Sequence, residues 1–408
     1  MKKLFLLLLS AALLAGCQKP DEARDTDQPT PTPQPTLPAD TAKTILLNTR
    51  DEDASGNLYA TLTAFNSNGT QKWKRTQLGT SSNPYLTYHN GVVYISVSYF
   101  QFANGGSSFV SYNNLYAINA ETGANVWAKT NSNDYVYSMV ARNDTLYCSL
   151  AYGSSNFIAA YSTTNGGLLW LAPIAFPYPA ARLALDGGML YFGTASSNTV
   201  NNIIGFDIGT KIIKWNTPIG INFANVFSNL VLHGNAVFLK NGTGNLLALD
   251  KLTGATLWSK TDQTYEQPVV DNNIIFSASQ NGLQAFSASN GNPVWQWNGG
   301  NWFKGGFPFV ADKRVYIAGS QAHGFITCFN AASGTVEWKK EMADVLQYPL
   351  VAADKLILLR TPNLNGTPPH ILIYDAKTGA AKDSIPISAR EYGQHSIVTG
   401  LGKWIHGY

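Results

Sequence analysis

The chain has little charge. Lys, Arg, Asp and Glu make up 13% of its 408 residues, about half the fraction usual in soluble domains. Its formal net charge is only +3. No basic face is clustered in the sequence, so nucleic acid is excluded as a partner. Cysteine is scarce, with three in all. The six histidines, His89, His233, His323, His370, His395 and His406, form no H-x-x-x-H or H-E-x-x-H pattern. That removes the usual zinc-hydrolase signature. No G-x-S-x-G nucleophile elbow occurs. Gly-rich pieces such as Asn241-Gly242-Thr243-Gly244 lie between strand-like runs with no helix after them, so they read as hairpin turns and not phosphate loops. Neither a metal nor a cofactor is expected, and no catalytic residue is assigned.

The N-terminus is a targeting segment. Lys2 and Lys3 precede the apolar run Leu4 to Leu14, which is too short to span a bilayer as a permanent helix. Leu14-Ala15-Gly16-Cys17 resembles the lipobox of bacterial lipoproteins. That resemblance implies cleavage before Cys17, with lipid on its sulfur and residues 1–16 as the signal peptide. Without Lys2 and Lys3 the net charge falls from +3 to about +1. Residues 17–42 continue as a Pro, Thr and Asp-rich stretch. It lacks the apolar content to fold, and its Thr-Pro pairs favour an extended spacer. The expected location is the cell envelope, lipid-anchored to the outer membrane, on its periplasmic or its surface side. Cys148 and Cys328 lie in separate strand-like runs. They are expected as two buried thiols, with a bridge between them as the alternative in an oxidising compartment.

What the chain has in quantity is one hairpin. In Leu246 to Trp258, LLALDKLTGATLW, a short apolar strand meets a turn from Asp250 to Gly254, and a second strand ends on a large aromatic. An Asp side chain accepts backbone N–H bonds across the turn it opens, and Gly254 suits a left-handed backbone. The same pattern ends on Trp73, Trp127, Trp170, Trp215, Trp258, Trp295 and Trp338, mostly 43–45 residues apart. Lys211 stands where the fourth copy would have its glycine. An eighth copy, Ile373-Tyr374-Asp375 to Gly379, has Asp383 in the tryptophan position. The step from Trp73 to Trp127 is long, and a loop inserted over Tyr99 to Asn114 accounts for it. Each period holds four strand patterns. In the copy ending at Trp295 these are Gln267–Val270, Ile274–Ala278, Leu283–Phe286 and Pro293–Trp297.

Four antiparallel strands per 40–45 residues mark a β-propeller blade. The expected fold is all-β: an eight-bladed propeller over residues 43–408. The chain enters at Thr44 to Thr49, where the first blade lacks its innermost strand. The stretches Ser396–Thr399 and Lys403–His406 are left over after the eighth hairpin, and they are expected to complete that blade.

The string A-x-D-x-x-T-G-x-x-x-W at Ala248 to Trp258 resembles the tryptophan-docking repeat of PQQ-type propellers. The resemblance extends from about Lys43 to Tyr408. Relatives of that kind include quinoprotein dehydrogenases and non-enzymatic lipoproteins of the BamB type, propeller subunits of the outer-membrane β-barrel assembly machinery. A quinoprotein enzyme would bring a calcium site of Glu, Asn and Asp, a Trp platform under the quinone and often adjacent cysteines. The chain has no Cys-Cys pair, and no such trio matches. The resemblance therefore implies a non-catalytic scaffold that binds protein partners at the envelope, as in outer-membrane protein assembly. The alternatives are a surface lipoprotein that binds a carbohydrate or other ligand and, behind it, a PQQ-dependent dehydrogenase.

Innermost strands often begin after a proline: Pro84, Pro179, Pro268, Pro308 and Pro349. Their starts converge on one face of a propeller. Tyr85, Tyr137, Tyr178, Arg182 and Tyr348 lie near these starts and are the candidate binding face, because Tyr and Arg are common at binding hot spots. Their alternative is packing between blades.

Overall fold

The structure is a computed structural model. It describes residues 44–406 apart from 53–57, 67–68, 81–84, 103–108, 133, 153–154, 176–182, 195–200, 221–229, 242–243, 262–266, 280–281, 300–307, 321–323, 343–345, 353–354, 361–369, 388–390 and 400–403. Among these residues every regular element is a strand, and the strands form eight antiparallel sheets. The alternation of β-branched and aromatic residues with Ser, Thr and Asn suits half-buried strands. Asn, Asp and Gly at the hairpins supply the backbone that the turns need.

Blades 2 to 8 each run in chain order from an inner to an outer strand. Blade 3 is Asp134–Arg142, Thr145–Tyr152, Ser155–Ser162 and Leu168–Ile174. Blade 5 is Val231–His233, Ala236–Lys240, Asn245–Asp250 and Thr256–Thr261. Inner strands of successive blades meet side by side, as Tyr85–His89 does with Asp134–Arg142. Blade 1 departs from the four-stranded plan. Its order is Gln71–Arg75, Leu58–Phe65, Ile45–Glu52, Glu391–Thr399 and Trp404–His406. Ile45 pairs with Thr399 and Asn48 with Ser396. The first of the two C-terminal strands thus lies where the fourth strand was expected, and Trp404–His406 makes a fifth.

The stretch expected as an inserted loop is mostly sheet. Val92–Phe102 and Phe109–Asn119 are 11 residues each and stay paired out to Phe102 opposite Phe109. The Gly and Ser between them suggested a loop, but the aromatic and β-branched residues on both sides extend the hairpin.

The core lies between blades. One apolar cluster joins Leu46 and Leu62 of blade 1 to Val93 and Ile118 of blade 2. Another joins Tyr191 and Trp215 of blade 4 to Val237 and Leu249 of blade 5. Cys148 and Cys328 are both buried free thiols, and burial pushes the Cys328 thiol up to about 12.

Candidate functional site

The repeated hairpin is a joint. Asp250 Oδ1 accepts the backbone N–H of Leu252 (3.0 Å) and Thr253 (2.8 Å). Asp375 does the same for Lys377 (3.0 Å) and Thr378 (2.9 Å). Asn119 takes the role with Glu121 and Thr122, and Asn330 with Ala332 and Ser333. The acceptor is what matters, so Asp and Asn are interchangeable here. These bonds settle the ionised form. The Thr378 N–H is the main reason the Asp375 carboxyl lies below its ordinary 3.8. For Asp250, burial raises the pKa, but the bonds from Thr253 and Leu252 outweigh it and the net shift is downward.

Six of the seven docking tryptophans bond to the turn of the next blade, the Nε1 donating to a carbonyl there: Trp73 to Ala120 (3.0 Å), Trp127 to Thr163 (2.7 Å), Trp215 to Lys251 (2.9 Å), Trp258 to Ala288 (3.0 Å), Trp295 to Ala331 (2.9 Å) and Trp338 to Ala376 (3.1 Å). The ring lies on the turn glycine. A Cβ on Gly254 would fall 2.5 Å from the Trp215 ring, and the backbone there has φ +72°. Glycine is required at this position on both counts. Trp170 meets Lys211 in its place. Lys211 has φ 59°, and its Nζ lies 5.9 Å from the centre of the Trp170 ring. Only Trp127 and Trp215 are fully buried, at 8% exposure. The other docking tryptophans are partly exposed.

Two parts of this joint escape a reading of hairpins alone. The first is an aromatic on the second strand. Phe238 lies 5.7 Å from Trp258, Phe276 5.7 Å from Trp295, Tyr94 5.9 Å from Trp127 and Tyr191 5.9 Å from Trp215. Across the sheet, Phe238 pairs with Ala248, which pairs with Trp258. The small middle residue leaves room for the two rings. The second is the side chain two residues after the tryptophan. Arg75 donates to Gly123 O (2.9 Å), and Thr217 donates to Gly254 O (2.6 Å). At the seam between blades 8 and 1, Asp383 pairs with Ile373 as predicted for the missing tryptophan. Ile385 fills the space there, since its Cγ1 is 2.8 Å from where a Gly69 Cβ would be.

The candidate binding residues are only partly brought together. Tyr85 opens the inner strand of blade 2 and packs against the core between blades 2 and 3. Tyr137 lies on the adjacent inner strand of blade 3. There the register slips between Val136 and Ser138, so Tyr137 is an extra residue against the neighbouring strand. Such bulges re-aim side chains. Its ring stands 4.9 Å from that of Tyr135, which is 37% exposed. Tyr152, also exposed, sits opposite Asp134 at the same end of the blade. Tyr152 shares its register with Tyr99 of blade 2, five residues after the residue that faces the middle-strand alanine in each blade. Tyr178 and Arg182 lie outside the described residues, and Tyr348 is described only as part of the strand Leu346–Ala352. Pro308 begins its strand, whereas Pro349 sits within its strand at a register slip. Among the described residues, no three His, Cys, Asp or Glu side chains gather as metal ligands.

The fold and its joints define an eight-bladed docking propeller. The sequence model of the family described as outer membrane protein assembly factor BamB matches residues 58–297 and 282–384. The chain belongs to that family. A model for prokaryotic membrane lipoprotein lipid attachment sites matches residues 1–18, and the protein is a lipid-anchored protein of the cell envelope. Outer membrane protein assembly factor BamB of Francisella salina is 28% identical over 141 residues, 32% of this chain and 27% of that protein. The chain spans 27% to 65% of the length of the curated relatives it matches. The crystal structure of BamB from Moraxella catarrhalis superposes with a TM-score of 0.54 at 15% identity, over 76% of this chain and 92% of that one. The dihydro-heme d1 dehydrogenase NirN superposes with a TM-score of 0.57 at 10% identity, over 88% of this chain and 76% of that one. At such identities the superpositions show the fold alone.

Proposed function

We propose that this chain is a non-catalytic scaffold that binds protein partners at the outer membrane during the assembly of outer-membrane proteins. The observation that carries this reading is the family match across residues 58–384 in a chain with a lipid attachment site at residues 1–18. Cys17 would bear the lipid after removal of residues 1–16, and residues 17–42 would tether the propeller domain, residues 43–408. The repeat geometry supports a structural role for the tryptophans, because six of the seven donate their Nε1 to the neighbouring blade and the seventh, Trp170, lies against Lys211 there. Binding then falls to the surfaces where the copies differ. The Tyr135–Tyr137 pair offers one such surface, and Tyr85 opens the neighbouring inner strand.

The test is purification of the full lipidated chain from native membranes, probing for the barrel subunit of the assembly machinery. Co-purification at near-equal amounts is expected. A clean absence, from membranes in which that subunit is intact, contradicts the reading. The exposed tyrosines favour one other reading, a glycan ligand, since aromatic faces also suit sugar rings. Glycan-array binding that is lost in Tyr135→Ala, with no membrane partner recovered, would replace the first reading with the second.

A further inference from the structure

Six seams between blades share one device. The turn residue under the tryptophan is a glycine, and a Cβ there would fall 2.5–2.9 Å from the ring. The ring can therefore lie against the turn, with its Nε1 bonded to a carbonyl of the next blade. At two of these seams a tyrosine hydroxyl donates to the same carbonyl, Tyr191 to Lys251 O (3.4 Å) and Tyr316 to Ala376 O (3.1 Å). Hydrogen bonds are directional, so these joints fix how one blade sits on the next.

Two seams lack the device. Between blades 3 and 4, Lys211 brings the Cβ that the six glycines omit, and the Trp170 ring must stand off from the turn. Among the described residues, neither Trp170 Nε1 nor the hydroxyl of Tyr147, whose ring lies 6.0 Å away, has a hydrogen-bond partner. Apolar side chains fill this seam, with Ile158 and Ala172 of blade 3 against Leu190 and Phe206 of blade 4. Its polar ties lie at the inner strands, where Leu183 N donates to Ser138 Oγ (2.8 Å) and Arg142 Nη1 to Gly187 O (2.7 Å). Between blades 8 and 1, Asp383 replaces the tryptophan. The blade 1 turn is also one residue shorter, with Gly69 N bonded to Asn66 O (2.9 Å) where Gly254 N reaches Asp250 O (2.8 Å). Ile45 and Leu47 pack there on Ile371 and Ile373. Apolar contact is non-directional, so these two seams can slide while the other six hold.

A closed ring cannot bend at one soft seam alone. Two are needed, and these two divide it into blades 1–3 and blades 4–8. We propose that the propeller flexes as two bodies, blades 1–3 and blades 4–8, hinged at the seams between blades 3 and 4 and between blades 8 and 1. The bonds at Ser138 and Arg142 place the pivot of the first hinge at the inner strands, and its opening at the outer rim. A partner that touches both bodies selects one hinge position, because it shifts the population by its differential affinity for the two. The hinge does not depend on the assembly reading.

The test is the spread of distances between spin labels on the full chain in detergent. Cys148 and Cys328 are buried, so cysteines introduced on the outer strands take the label. Val126→Cys/Leu257→Cys spans blades 2 and 5, one in each body, and Leu257→Cys/Lys382→Cys spans blades 5 and 8, both in one body. Both pairs are three blades apart. The first should show a broad distribution and the second a narrow one. Lys211→Gly should let the Trp170 ring close on the turn and narrow the first pair to match the second. Equal widths without that substitution overturn the proposal. So does a first pair that stays broad in Lys211→Gly. If Lys211→Gly lowers the melting temperature, Trp295→Phe decides. It removes the Nε1 donor at the seam of blades 6 and 7 and should broaden the second pair, and an unchanged width refutes the proposal.

Discussion

Trp215 fills the seam between blades 4 and 5 at 8% exposure, with its Nε1 bonded to Lys251 O. Trp215→Ala should cost about 3–5 kcal/mol, read as a lower urea midpoint. Trp258 has the same geometry but is only partly buried, so Trp258→Ala should cost clearly less. Equal losses would mean that ring burial does not set the cost. Gly254→Ala should lose more than about 1 kcal/mol, because alanine is strained at positive φ and its Cβ would lie 2.5 Å from the Trp215 ring. Acid should loosen the same joints. The Thr378 N–H holds the Asp375 carboxyl below 3.8, so the folded chain keeps it ionised where the unfolded chain takes up a proton. The stability this contributes is present above that pH and is lost as pH falls through the lowered value. Asp375→Asn should flatten the acid limb of a plot of melting temperature against pH. An unaltered limb would count against the turn bond.

Among the elements, the hairpin was legible because its signals are local. Asp or Asn, then Gly, then Trp fall within about a dozen residues, and each has a turn or packing reason that needs no knowledge of the fold. The aromatic partner was not legible. Phe238 precedes Trp258 by a whole hairpin, and the two meet only through the register of three strands by way of Ala248. The length of the second blade was misread for a related reason, since Gly and Ser at its tip outweighed the aromatic alternation that pairs Phe102 with Phe109. The exception at Lys211 gives an element-scale test. A left-handed non-glycine costs about 1–2 kcal/mol, and the contact of its ammonium with Trp170 returns about 0.5–1 kcal/mol. Lys211→Ala keeps the strained backbone and loses the contact. Lys211→Gly loses the contact and relieves the strain. The glycine variant should therefore be the more stable by about 1 kcal/mol in paired denaturation curves, and the reverse order would contradict the strain at this turn.

At the scale of the molecule, blade 1 joins the two ends of the chain. Ile45–Glu52 enters it, and Glu391–Thr399 pairs alongside with Ile45 opposite Thr399. Leftover strands at one end and a missing inner strand at the other made this pairing readable from the sequence. Deleting the stretch after Gln394 should lower the melting temperature sharply and broaden the transition, as seen by circular dichroism. A sharp transition at the original temperature would show that the ring does not depend on this pairing. The proposed binding residues were much less readable. Repeats identify what the copies share, while Tyr135 and the bulged Tyr137 belong to what blade 3 does not share.

On the proposed function, the tryptophan seams hold the ring together while binding lies elsewhere. That division is tested by the amount of assembly partner that co-purifies with two variants of the full lipidated chain, each compared with its own melting temperature. Tyr135→Ala/Tyr137→Ala should lose the partner and keep the melting temperature. Trp258→Ala should lower the melting temperature and, below it, keep the partner. A Trp258 variant that loses the partner while fully folded, or a tyrosine variant that retains it in full, would contradict the account.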